Sequence, residues 1–351
     1  MTRPFGFALV GTGMAALPHG RALAELHPDP GMIAVHSRRA AGREAFAAQF
    51  GFRPVERFES ILNDPSIDAV ILATPPDQRR PLVVGLAAAG KHILSEKPLE
   101  RSTAAAGGIA GICRNQGVRL GVVFQHRYRP AVRALAERLA FGHLGAIRLV
   151  RAEVPWWRPQ SYYDEPGRGS LERDGGGVLI SQAIHTLDLL LYLVGPVTEV
   201  QALAATSSFH RMETEDFAVA GLRFACGAPG SVLATTAAWP GTGESIRLDC
   251  DLASAILGDG QLRLLWRDGR EETIGQRAGT GSGADPMAFP YDWHRDLIAA
   301  FRNRVRKGEN PEVSGEDGLA VQGLIEAMIQ SSAEGKRIRL SHSGDRLLPS
   351  C

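Results

Sequence analysis

The run Phe7-Ala8-Leu9-Val10-Gly11-Thr12-Gly13-Met14-Ala15-Ala16 decides the fold. Phe7–Val10 is a short, wholly apolar segment and reads as a buried strand. Two glycines follow at once, and helical spacing then runs over Ala15–Leu26. In a strand–loop–helix of this kind the first glycine permits the tight turn. The second lets the backbone approach a diphosphate, and a small third residue, here Ala16, keeps helix against strand. The free N–H groups at the helix start then offer an anion site. Pro18 sits early in that helix, where its missing donor costs least. Gly11, Thr12, Gly13, Met14 and Ala15 are therefore candidate cofactor residues.

Outward from this loop, Met32–Val35, Ala69–Ala73, His92–Ser95 and Val118–Phe124 read as further strands. Arg39–Phe50, Pro81–Ala89 and Thr103–Asn115 read as the helices between them. Such alternation predicts an α/β Rossmann domain, a doubly wound parallel sheet, over residues 1–123. The pattern then changes. Ala146–Val154, Val197–Ala205, Phe217–Phe224, Gly230–Ala238, Ser245–Cys250, Ala253–Gly258 and Gln261–Trp266 read as strands joined by turns. Helices are expected at Val178–Val194, Asp292–Arg306 and Gly318–Ser331, the last opened by a Ser314/Asp317 capping box. Residues 124–340 thus read as an α+β domain with a large, mostly antiparallel open sheet, and 341–351 as a polar tail.

The second strand ends in His36-Ser37-Arg38-Arg39. An enzyme for NAD usually carries an acidic residue there to bind the ribose hydroxyls. Ser37 and Arg38 suit a 2′-phosphate instead, because a hydroxyl and a guanidinium can bond it and no carboxylate repels it. NADP(H) is the expected cofactor, with NAD(H) the alternative.

Composition narrows the partners. The 351 residues carry 39 Lys+Arg against 38 Asp+Glu, a net +1, which gives no electrostatic reason to expect nucleic acid or an anionic membrane. No apolar window is long enough to span a bilayer, and the N-terminus enters a strand rather than an export signal, so a cytoplasmic enzyme is expected. Cys113, Cys226, Cys250 and Cys351 lack metal-ligand or redox-pair spacing, and no metal site is expected.

Three more stretches join the glycine loop: Thr74-Pro75-Pro76-Asp77 after one strand, Glu96-Lys97-Pro98 after the next, and Gly175-Gly176-Gly177-Val178-Leu179-Ile180-Ser181-Gln182-Ala183-Ile184-His185-Thr186-Leu187-Asp188. In this order they resemble the Gfo/Idh/MocA oxidoreductase family, over nearly the whole chain. The resemblance implies a nucleotide-binding domain followed by a sheet domain, substrate in the cleft between them, and a homodimer or homotetramer formed through the open sheet face. It implies Lys97 and His185 as catalytic residues, with Thr74, Pro75 and Glu96 beside Lys97 at the cofactor and a typically cis bond before Pro98. Two departures stand out. Many members have an aspartate where this chain has Ser181, and a histidine often stands at Arg79.

Trp156-Trp157-Arg158-Pro159-Gln160-Ser161-Tyr162-Tyr163 and Arg168 precede the glycine-rich helix start. Aromatic faces and guanidinium groups in one loop suit a small polyhydroxylated substrate, possibly bearing a carboxylate or phosphate. Trp157, Arg158, Tyr163, Arg168, Gln182 and His185 are the substrate candidates, with Trp239 and Tyr291 behind them. The expected reaction is hydride transfer between a nicotinamide and a secondary alcohol or ketone of a sugar, sugar acid or cyclitol. A dinucleotide-dependent glycosidase of the same fold and a non-catalytic dinucleotide-sensing regulator are the alternatives.

Overall fold

The computed structural model describes residues 3–277 and 290–340. The tail 341–351, Cys351 included, lies outside the described residues. The chain forms two compact units. One takes the described residues up to Gln125 together with Tyr291–Leu319, and the other takes the rest.

The first unit holds strands β1 (Phe7–Val10), β2 (Ala34–His36), β3 (Arg53–Pro54), β4 (Ala69–Leu72), β5 (His92–Ser95) and β6 (Leu120–Val122). They pair in parallel in the order β3-β2-β1-β4-β5-β6. The order reverses between β1 and β4, and ligands of doubly wound sheets bind outside the carboxyl ends of the strands at such a reversal. β1 and β4 are buried along their whole length, which is why each is an unbroken apolar run. Helices α1 (Ala16–Leu26), α2 (Ala40–Phe50), α3 (Phe58–Leu62), α4 (Arg79–Ala88) and α5 (Thr103–Asn115) alternate with the strands.

The second unit begins with α6 (Pro130–Ala140), β7 (Ile147–Pro155) and the short α7 (Gln160–Tyr163). After α8 (Ile184–Val194) come β8 (Val197–Ala205), β9 (Phe217–Phe224), β10 (Pro229–Thr235), β11 (Ser245–Cys250), β12 (Ala253–Gly258), β13 (Gln261–Trp266) and β14 (Glu271–Ile274). With β15 (Ile338–Arg339) they make a nine-stranded sheet, ordered β14-β13-β12-β11-β7-β10-β9-β8-β15. Among the described strands of this sheet, only β7 and β10 pair in parallel. Alternating burial along β7 and β9 marks a sheet with one covered face.

Two helices close the chain. The sequence expectation kept α9 (Asp292–Arg306) with the second domain, whereas it belongs to the first unit and packs on α1. Its buried stripe of Trp293, Leu297, Ile298, Phe301 and Val305 is what docks it. The last helix, α10 (Gly315–Glu334), starts in the first unit and ends in the second. Ser314 and Asp317 cap it reciprocally: Ser314 N–H donates to Asp317 Oδ2 at 2.8 Å, and Asp317 N–H to Ser314 Oγ at 3.4 Å. Among the described residues no helix is long and apolar enough to cross a membrane.

Candidate active site

The glycine loop leaves β1 at its carboxyl end. Gly11 has φ +105°, and a Cβ there would lie 2.6 Å from the Ala73 carbonyl oxygen, so both backbone and space require glycine. A Cβ on exposed Gly13 would meet nothing within 4 Å, which leaves room for a ligand to reach the backbone. Thr12 is half-buried, while Met14 and Ala15 are exposed beside it. Among the described residues no side chain caps the start of α1 and no acidic residue occupies its first turn. The Ala16 and Leu17 N–H groups donate to the Gly13 and Met14 carbonyls at 2.9 and 3.3 Å, which leaves the loop backbone and the positive end of the helix dipole for an anion. After β4, the Thr74 Oγ1 is buried with no hydrogen-bond partner among the described residues, and Pro75 beyond it is exposed. These features fit a dinucleotide.

At the end of β2, Ser37 is half-buried and its carbonyl accepts from Arg43 Nη1 at 3.2 Å. Arg38 is exposed, and its Nη1 reaches Gln78 Oε1 at 3.3 Å.

Lys97 follows β5 as a half-exposed residue among buried neighbours, and its bond to Pro98 is cis. Glu96 holds it from behind. Glu96 Oε2 accepts the Lys97 N–H at 3.1 Å, and Glu96 Oε1 pairs with His19 Nε2 of α1 at 2.8 Å. Burial opposes the charge on Glu96, but His19, His294 and Lys97 outweigh it and hold the carboxyl below its usual range. Arg79, where relatives often carry histidine, is a buried clamp. It donates to the Thr74 carbonyl at 3.0 and 2.7 Å and to the Glu96 and Pro98 carbonyls, tying the two turns together. Burial lowers its pKa to about 10, against the attraction of Glu96, Glu100 and Asp77.

His19, Glu96 and His294 present ligand atoms within 4.8 Å of one another, a donor set that could hold a metal among the described residues. Sequence spacing could not reveal it, because α1, the β5 turn and α9 each supply one member. Lys97 and the buried Arg79 already place two cations beside this carboxylate, so its charge is met without a metal.

In the second unit, Gly177 enters the central helix where a Cβ would lie 1.8 Å from the Glu215 carbonyl oxygen. Glu215 caps this start: its carboxylate accepts from Gly177 N–H at 3.1 Å and Leu179 N–H at 3.0 Å. The turn Leu179–Ala183 is wound as π-helix before α8, a distortion frequent at functional sites. His185 is buried on the first turn of α8 and stacks on His126, ring centroids 4.4 Å apart and planes at 27°. Asp188 is fully buried and is taken up by Arg127 in a bidentate pair, at 2.8 and 2.5 Å.

The substrate candidates of this unit gather around two residues that the sequence reading passed over, Tyr162 and His210. Arg168 lies over the Tyr162 ring at 4.6 Å and Arg158 at 5.7 Å, and Gln182 Nε2 donates to Tyr162 Oη at 3.3 Å. Arg168 Nε and Gln182 Oε1 are buried without hydrogen-bond partners. Trp157 meets His210 at 5.8 Å, and Tyr163 meets it at 4.8 Å. Tyr163 itself is buried, bonds Thr236 Oγ1 at 2.6 Å, and has its phenol pushed up by that burial, which marks it as packing behind Tyr162. Arg158 is likewise buried, at 2% exposure, whereas Tyr162 and Arg168 are partly open. Exposed Trp239 and Phe209 stand edge-on to Trp157 at 5.4 and 5.6 Å. Tyr291 belongs to the first unit and donates to Glu25 Oε2 at 3.0 Å.

Residues 5–124 match the model of an oxidoreductase family with an NAD-binding Rossmann fold, and residues 132–256 match the Gfo/Idh/MocA C-terminal domain. The chain belongs to the Gfo/Idh/MocA oxidoreductase family. Its relatives include the 1,5-anhydro-D-fructose reductase of Ensifer adhaerens, 26% identical over 87% of this chain and 90% of the relative. The inositol 2-dehydrogenase of Rhizobium meliloti is 25% identical over 95% of this chain and 99% of its own. Among solved structures, the WlbA dehydrogenase of Bordetella pertussis in complex with NADH and UDP-GlcNAcA is 31% identical with a TM-score of 0.81, covering 97% of this chain and 100% of that one. This family member is thus an oxidoreductase with a dinucleotide-binding Rossmann unit.

Proposed function

We propose that this protein transfers hydride between a nicotinamide and a secondary carbinol carbon of a sugar, sugar acid or cyclitol, with NADP(H) preferred over NAD(H). The observation that carries the reading is Lys97. It stands at the carboxyl end of β5, pinned by Glu96 and Arg79, in the same sheet whose β1 ends in the glycine loop. Gly11–Ala15, Ser37, Arg38, Thr74, Pro75 and Glu96 are the cofactor contacts in this reading. The bound nicotinamide supplies the hydride chemistry. Lys97 stabilises developing alkoxide charge in oxidation, and neutral His185 takes the hydroxyl proton. In reduction His185 gives one proton to the substrate oxygen and Lys97 donates a hydrogen bond to it. Trp157, Tyr162, Arg168 and Gln182 hold the polyhydroxylated substrate, with buried Arg158 and Tyr163 packed behind them, and the relatives' named substrates support that class. The enzyme is read as cytoplasmic and as a homodimer or homotetramer.

The test is a panel of myo-inositol, 1,5-anhydro-D-fructose and UDP-GlcNAcA, extended to other sugars, sugar acids and cyclitols, each with both dinucleotides in both directions. Turnover of nicotinamide by at least one member, abolished in His185→Ala, is expected. No turnover across the panel, or undiminished turnover in His185→Ala, overturns the reading.

A further inference from the structure

The ring against His185 is not a passive neighbour. His126 Nε2 lies 2.7 Å from Arg129 Nη2. A guanidinium only donates, so His126 Nε2 must accept, which places the ring proton on Nδ1 and keeps the imidazole neutral. Arg129 is fixed in turn: its Nη1 donates to Glu244 Oε1 at 2.7 Å, and both side chains are buried. This buried, hydrogen-bonded ion pair holds the His126 ring from its far edge. The His126 face carries the His185 ring, with centroids 4.4 Å apart. The π-wound turn before α8 and the ring of His126 therefore bracket His185 along the chain and in space.

We infer that His126 is a positioning residue for the reaction, a neutral ring locked by Arg129 and Glu244 that sets the plane of His185 and cannot take the proton His185 receives. A proton on His126 Nε2 would displace the Arg129 hydrogen bond and set a cation beside a guanidinium. The transferred proton thus stays on His185. This rests on the reading of His185 as the proton acceptor.

Two substitutions separate the ring from its hydrogen bond. His126→Phe keeps a stacking face and loses the acceptor, whereas His126→Asn keeps an acceptor and loses the ring. With the panel substrate turned over fastest, kcat of His126→Phe should fall about threefold to tenfold, because the stacking face stays while the Arg129 hydrogen bond that locks it is lost. His126→Asn should lose roughly tenfold to a hundredfold in kcat, with KM within about twofold, as expected when orientation of a reacting group is lost rather than binding. Wild-type kcat in a folded His126→Asn protein, or His126→Phe as slow as His126→Asn, overturns the inference. Should the asparagine variant not fold, histidine NMR of wild type and His126→Phe decides. A narrow, ring-shifted His185 Cε1–H signal is expected in both, and a broad or unshifted one in wild type overturns it. Failure of the underlying reading shows separately, as retained turnover in His185→Ala.

Discussion

The proposed preference for NADP(H) rests on Ser37 and Arg38, which would act through two different forces. Ser37 stands where a carboxylate would otherwise receive ribose hydroxyls, and Arg38 is exposed with only a 3.3 Å contact to Gln78 to give up. A guanidinium–phosphate bond worth about 1.5–3 kcal/mol gives roughly a tenfold to a hundredfold preference for NADPH over NADH. Ser37→Asp adds a charge that repels the 2′-phosphate and should reverse the order. Fluorescence titration of both dinucleotides against both proteins checks this. Equal affinities in wild type, or tighter NADH, would remove the phosphate contact from the account. The same scale shows where sequence stops informing. Tyr162 and Tyr163 are adjacent and chemically alike, so only the turn of α7 reveals that Tyr163 packs on Thr236 while Tyr162 lies under Arg168. Ser181 opened the question of what partners His185. Spacing puts Asp188 on the helix face of His185; the structure pairs Asp188 with Arg127 and stacks the His185 ring on His126, and neighbours from another element leave no mark in the spacing of this helix.

Strands β1 and β4 were legible because a strand buried on both faces must be an apolar run, and helix ends at Gly51, Gly90 and Gly117 because positive φ there favours glycine. Helix α6 was not, since Arg129-Pro130 begins it without a glycine or a side-chain cap. Nor could periodicity show that α9 returns to α1, because an apolar stripe says that a helix docks but not on what. That docking has a pH signature. His294 of α9 sits edge-on to His19 at 5.0 Å and is buried, so desolvation and the neighbouring His19 lower its pKa from 6.5 to about 3, against the pull of Glu96. Between these values the unfolded chain binds a proton that the folded one refuses. Folding stability from this group is therefore complete above pH 6.5 and is lost as pH falls. Over a drop from about pH 7 to 5 the loss is about 2 kcal/mol. His294→Phe keeps an aromatic ring and removes the proton site, so urea melts should show wild type losing about 2 kcal/mol more than the variant over that range. Parallel curves would mean that His294 is not held neutral.

Across the whole molecule the chain passes from the first unit to the second after Gln125, returns at Tyr291, and passes again within α10. Composition and strand spacing identified the two kinds of sheet but not this return, because contacts distant in sequence leave no local pattern. The central claim is the proposed hydride transfer to a nicotinamide with Lys97 stabilising the developing alkoxide. It is tested by following deuterium from the carbinol carbon of the fastest panel substrate, with wild type and Lys97→Met compared in single-turnover experiments. The account predicts one deuterium on each reduced nicotinamide in wild type, and a transfer rate lowered by roughly 10²–10³ in folded Lys97→Met. Deuterium released to water instead, or undiminished transfer in the lysine variant, would contradict it.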